Sequence, residues 1–84
     1  MSQSIYVGNL PYSAQENELK EIFEEHGTVE SVKIIRDRET GRSRGFGFAE
    51  MPNREEAEKA ISALDGKEFG GRNLKVSFSK PRNY

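Results

Sequence analysis

Hydrophobic positions recur along this chain with two different periods, and the places where one period gives way to the other divide it into six elements. Ile5 and Val7 alternate with Tyr6 and Gly8, which predicts a strand ending near Asn9-Leu10-Pro11. The period then lengthens, so that Leu19, Ile22 and Phe23 share one helical stripe. Ser13, with Glu16 three residues on, reads as the capping box of this helix, and His26-Gly27 closes it with glycine where a left-handed residue is usual. Residues 29–36 return to a period of two, with Val32 and Ile34 on one face and Lys33 and Ile35 on the other. A charged loop over residues 37–43, with Thr40-Gly41 as its turn, leads to a third strand that Pro52 stops. Asn53 and Glu56 form a second capping pair, and Ala57, Ala60, Ile61 and Leu64 follow helical spacing until Gly66. Phe69-Gly70-Gly71 is a turn. Leu74, Val76 and Phe78 then alternate with Lys75, Ser77 and Ser79 in a last strand, and Pro81 begins a short polar tail.

The order is therefore strand, helix, strand, strand, helix, strand. Right-handed crossovers make the two strands flanking each helix parallel. The simplest arrangement that allows this is an α+β, ferredoxin-like βαββαβ sandwich, a four-stranded antiparallel sheet with both helices on one face. A chain of 84 residues has room for one domain. Its core is expected over about residues 4–80, with 81–84 as a flexible tail. The other sheet face is left open to water. Parity puts Tyr6, Lys33, Ile35, Arg44, Phe46, Phe48, Lys75, Ser77 and Ser79 on that open face.

One stretch inverts the usual pattern. In Arg44-Gly45-Phe46-Gly47-Phe48-Ala49-Glu50-Met51, the small residues Gly45, Gly47 and Ala49 face the helices, and two rings beside a cation face away. Rings placed there are expected to be displayed, and a displayed ring offers a stacking surface.

The net charge is −1, but it is unevenly spread. Residues 13–32 hold Lys20 against six glutamates, and residues 53–71 hold three cations against five acids; these are the helical blocks. Residues 33–44 hold five cations against Asp37 and Glu39, and residues 72–84 hold four cations and no acid. With both helices on one side, the other side is expected to be basic. The chain has no cysteine, which excludes disulfides and thiolate metal sites and permits a reducing compartment. No run of 18 apolar residues occurs, so no membrane contact is expected, and the location is read as intracellular and cytoplasmic.

Two signatures on two strands, in order and within the expected six elements, resemble the RNA-recognition motif (RRM) family over about residues 4–80. Residues Arg44-Gly45-Phe46-Gly47-Phe48-Ala49-Glu50-Met51 resemble its RNP1 octamer, and Ile5-Tyr6-Val7-Gly8-Asn9-Leu10 its RNP2 hexamer. Asp37-Arg38-Glu39-Thr40-Gly41-Arg42-Ser43-Arg44 and the rings that follow are similar to small bacterial or glycine-rich, cold-inducible RRM proteins. The resemblance implies single-stranded RNA as partner, with Tyr6 and Phe48 each stacking a base, Phe46 against the sugars between them and Arg44 at the joining phosphate. Asn9, Lys33, Lys75, Ser77 and Ser79 would meet base edges, Ile35 would add an apolar contact, and Arg36, Arg38 and Arg42 would contact phosphates. Stacking does not read the 2′-hydroxyl, so single-stranded DNA is admitted as a ligand. Met51 stands where the octamer often ends in an aromatic, and Ala49 where a larger aliphatic is usual; both point to the helix side.

Other functions have less support in the residues. The same architecture hosts small hydrolases. Here, however, the lone His26 has no nucleophile in reach, no phosphate-cradling loop precedes the first helix, and Gly45-Phe46-Gly47 lacks the third glycine of such a loop. No catalysis, cofactor or metal is expected, and the domain is read as a monomer. The alternative is an RRM that binds a protein through its helix face, a usage that goes with degraded RNP aromatics; here they are intact.

Overall fold

The alternating residues 5–8 do form a strand, and the elements follow in the order β1 (Gln3–Gly8), α1 (Glu16–Glu24), β2 (Ser31–Arg36), β3 (Ser43–Met51), α2 (Arg54–Leu64), β4 (Glu68–Phe69), β5 (Arg72–Asn73) and β6 (Lys75–Phe78). They are seen in a computed structural model that describes residues 3–41 and 43–79, with the backbone alone for Ser43 and Arg44. Arg42, Lys80, Arg82 and the expected tail lie outside the described residues.

The main sheet has the order β2-β3-β1-β6, and each neighbouring pair is antiparallel. β1 and β2 are therefore parallel with β3 between them, and β3 and β6 are parallel with β1 between them. These are the relations that the two crossovers through α1 and α2 require. Inward residues of the strands, Ile5, Val7, Ile34, Ala49, Met51 and Val76, meet Leu19 and Phe23 of α1 and Ala57, Ala60 and Leu64 of α2 in one buried core. Fully burying one of the larger side chains contributes about 1.5–3 kcal/mol, so this face of the sheet carries most of the stability. Ala49 and the two helix alanines are completely buried, which lets α2 lie close to the sheet. The departures at Ala49 and Met51 are thus packing features of the core.

Local details differ from the sequence reading in four places. The N-cap of α1 is Gln15, not Ser13, and the Glu18 carboxylate accepts the Gln15 N–H at 3.0 Å. Asn53 does cap α2, accepting the Glu56 N–H at 3.0 Å, but the Glu56 carboxylate turns away to accept the Thr28 N–H at 3.0 Å and so joins α2 to the loop before β2. Gly27 is needed for that contact rather than for a left-handed backbone: its φ is not positive, and a Cβ there would stand 2.6 Å from the Glu56 Cβ. Finally, the turn at Gly70 and Gly71, with φ of 60° and 87°, closes a two-stranded ribbon, β4 with β5, that the six-element reading did not contain.

Both edges of the sheet are protected in the same manner. Glu16, displaced from the expected capping role, accepts the outward Ile34 N–H of edge strand β2 at 3.0 Å. Asp65, just past α2, accepts the Val76 N–H of the opposite edge strand, β6, at 3.0 Å. A carboxylate on each edge satisfies a backbone donor and deters pairing with another strand.

Candidate nucleic-acid interface

The register assembles the open face row by row. Lys33 lies opposite Phe48, Phe48 opposite Tyr6 and Tyr6 opposite Ser77, giving one row across all four strands. In the next row Phe46 and Lys75 flank Gly8. On the other side Ser31, Glu50 and Ser4 form a polar row that the Ser79 N–H extends by donating to the Ser4 carbonyl at 2.8 Å. Cross-strand neighbours of this kind stand about 4.5–5.5 Å apart at Cβ, close enough for rings on adjacent strands to touch.

Tyr6, Phe46 and Phe48 form a nearly equilateral triangle, with ring centroids 6.1, 6.0 and 6.1 Å apart and interplanar angles of 31°, 65° and 90°. All three are half-buried, each held by its neighbours while part of it stays open to solvent. The tilted and edge-on contacts suit the ring quadrupoles. They also fix the rings before any ligand arrives, which lowers the ordering cost of binding. Gly8 makes the arrangement possible. The Tyr6 ring lies over it, so that a Cβ on residue 8 would meet the Tyr6 hydroxyl and stand 2.8 Å from two ring carbons.

The remaining predicted residues fall around this triangle. Lys33, Lys75 and Ser77 are exposed on the ring face, while Ile35 and Ser79 are half-buried. Asn9, in a left-handed conformation with φ 59°, donates through Nδ2 to the Asn73 carbonyl at 2.8 Å and accepts through Oδ1 from Arg72 at 3.1 Å. The backbone of Arg44 precedes Gly45, whose φ of 86° puts a bulge in β3 where the register with β2 shifts, and whose carbonyl accepts the Leu10 N–H at 2.8 Å. The two-residue alternation therefore does not run unbroken from Phe46 to Arg44.

Two residues that the sequence reading passed over stand beside the site. Tyr12, 67% exposed, is the one large hydrophobic residue left outside among the described residues. The Arg72 guanidinium lies over its ring, 5.6 Å from the centroid. The available signal was an aromatic directly after Pro11 that fits neither hydrophobic period.

Three comparisons bear on this geometry. Residues 5–75 match the family model described as the RNA recognition motif. RbpA of Nostoc sp. is 54% identical over 79 residues, which cover 94% of this chain and 78% of that protein. Among solved structures, the RNA-binding protein PG1 superimposes with a TM-score of 0.91 at 46% identity, covering 98% of this chain and 99% of that one. The Rna15 RRM with bound GU RNA does so with a TM-score of 0.84 at 31% identity, covering 96% and 86%.

Proposed function

The chain belongs to the RNA recognition motif family, and we propose that it binds single-stranded RNA on the open face of its sheet, stacking bases on Tyr6 and Phe48. The observation that carries this is the triangle of half-exposed rings on the face without helices, flanked in the same two rows by Lys33 and Lys75. A ring packed at 6 Å on two others and still open on one side has a surface that only a flat partner covers well. Phe46 lies against sugars, and Arg44 meets the phosphate between the two stacked bases. Base edges are met by Lys33, Lys75, Ser77 and Ser79, with an apolar contact from Ile35. Asn9 has one N–H and a lone pair left after its two internal bonds, and turns these to a base.

Stacking tolerates every base, so affinity exceeds sequence choice in this reading, and two to four nucleotides cover the sheet. Single-stranded DNA binds the same rings. The domain acts as an intracellular monomer, and the family resemblance speaks against an enzyme.

The test is an NMR titration of the labelled protein with randomised short single-stranded RNA. Amides around Tyr6, Lys33, Phe46, Phe48 and Lys75 are expected to shift while those of α1 and α2 stay still. Shifts confined to the helices would point to a protein partner on that face, and no shift at any accessible concentration would end the RNA reading.

A further inference from the structure

The sheet platform does not end at Phe46 and Lys75. Beyond that row the chain places Tyr12, whose 67% exposure means that its ring contributes little to the core. Its position is nevertheless fixed from several directions. Arg72 lies over the ring at 5.6 Å, and Arg72 is itself held by the Asn9 side chain, which is tied in turn to the Asn73 carbonyl. The loop carrying Tyr12 is anchored to β3 by the Leu10 bond to the Gly45 carbonyl, and the turn at Gly70 packs against Pro11. A Cβ on Gly45 would stand 3.8 Å from the Tyr12 ring, so the bulge just before Phe46 and the Tyr12 ring are in contact range. Bracing an exposed ring adds little to the core, but it lowers the ordering cost of a ligand that stacks on it.

The space beside this ring is suited to a base. An open cavity of about 420 Å³ is lined by Tyr12, residues 13–17 and Arg36. Arg72 is not one of its walls, so the ring has a cation on one side and open space on another. Ser13, Gln15 and Asn17 supply hydrogen-bonding groups at the cavity, and Arg36 supplies a second cation. Arg72 gives one of its five N–H donors to Asn9 and has others to offer a phosphate.

We propose that Tyr12, backed by Arg72, is a fourth stacking surface that takes one further base of the same RNA strand as it leaves the sheet beside Phe46. This rests on the sheet reading above and extends its site by one nucleotide. The occupant is a nucleobase because the surface is one flat exposed ring with the Arg72 guanidinium over it and Arg36 on the wall of the adjoining cavity, the pairing of π-face and cations that strand-tracking grooves use.

The experiment measures binding of random-sequence RNA 3-mers and 6-mers to the wild-type protein, Tyr12→Ala, Tyr12→Phe and Arg72→Ala, with urea unfolding of each variant as a control on folding. Tyr12→Ala is expected to unfold at the wild-type midpoint, to weaken the 6-mer about fivefold or more, and to change the 3-mer by much less; Tyr12→Phe is expected to behave as wild type. Arg72→Ala should weaken the 6-mer as well, through the loosened ring and the lost cation. If Tyr12→Ala binds the 6-mer as tightly as wild type, or loses the 3-mer and 6-mer equally, the fourth surface is refuted while the sheet reading stands. If the wild-type protein binds neither length, the sheet reading itself fails and takes this inference with it.

Discussion

Replacing Gly8 by alanine separates the platform from the fold more cleanly than removing a ring. Gly8 has no positive φ, so its backbone accepts alanine without strain, and a Cβ in a strand is worth roughly 0.5–1 kcal/mol over glycine. On the other side of the balance, the new Cβ would meet the Tyr6 hydroxyl and stand 2.8 Å from Cε2 and Cζ, where ordinary contact starts near 3.4 Å, so the ring has to retreat by at least about 0.6 Å and its hydroxyl end by more. It cannot slide sideways, because Phe46 and Phe48 already hold it at 6.1 and 6.0 Å, and it must lift toward solvent. Lifting costs little stability, since the clash is with the far end of a side chain that rotates. It removes a preformed stacking face, which is worth about 1–3 kcal/mol per base, or a loss of about 5- to 140-fold in affinity. The expected result is a urea midpoint close to wild type, together with anisotropy-measured RNA affinity reduced toward that of Tyr6→Ala. Wild-type affinity in Gly8→Ala would refute the claim that the seat of Tyr6 matters. A large loss of stability would show that the ring belongs to the core.

Phe48→Ala and Tyr6→Ala should each weaken RNA binding by about 5- to 140-fold and still unfold cooperatively; collapse of both folds would mean that these rings are structural. With two to four phosphates contacted, a plot of log affinity against log salt should have a slope between about −1.4 and −2.8, at about −0.7 per phosphate on a single strand. A much steeper slope would reveal cationic contacts beyond those named here. Asp65→Ala should cost about 1–3 kcal/mol in urea unfolding, because it strands the Val76 N–H on the sheet edge; an unchanged midpoint would mean that water serves that donor equally well.

The strands and the ring face were legible because period-two alternation directly records which side of a sheet a residue occupies, whereas the order β2-β3-β1-β6 was not. Ile5 against Tyr6, and Ala49 against Phe48, are enough to fix both faces. Side-chain partners chosen by tertiary structure were not legible. Glu16 and Glu56 have the spacing of capping boxes, but each carboxylate is drawn to a backbone N–H brought up by another element, Ile34 in one case and Thr28 in the other. Gly27 has the sequence context of a helix terminator, yet its smallness answers to Glu56, a contact 29 positions away in the chain. The β4–β5 ribbon was missed because two residues per strand are too few to show a period. Tyr12 was missed for a related reason, since a ring that belongs to no stripe carries no pattern, and only its exposure in the folded chain reveals it.

The placement of carboxylates also explains how a chain with net charge −1 can present a surface fit for a polyanion. Local potential matters to an approaching strand, because charges farther away than about 10 Å are largely screened. The acidic blocks 13–32 and 53–71 contain the two helices, which pack on the covered face, and two of their acids, Glu16 and Asp65, are committed to the sheet edges. On the open face, the Glu50 carboxylate accepts the Ser31 hydroxyl at 2.9 Å in the polar row, leaving the ring rows to Lys33 and Lys75. The net charge adds two sides that a bound strand would not feel equally. Charge reversal at an exposed helix position such as Glu21 should therefore change RNA affinity far less than charge reversal at Lys33, although both alter the net charge by two.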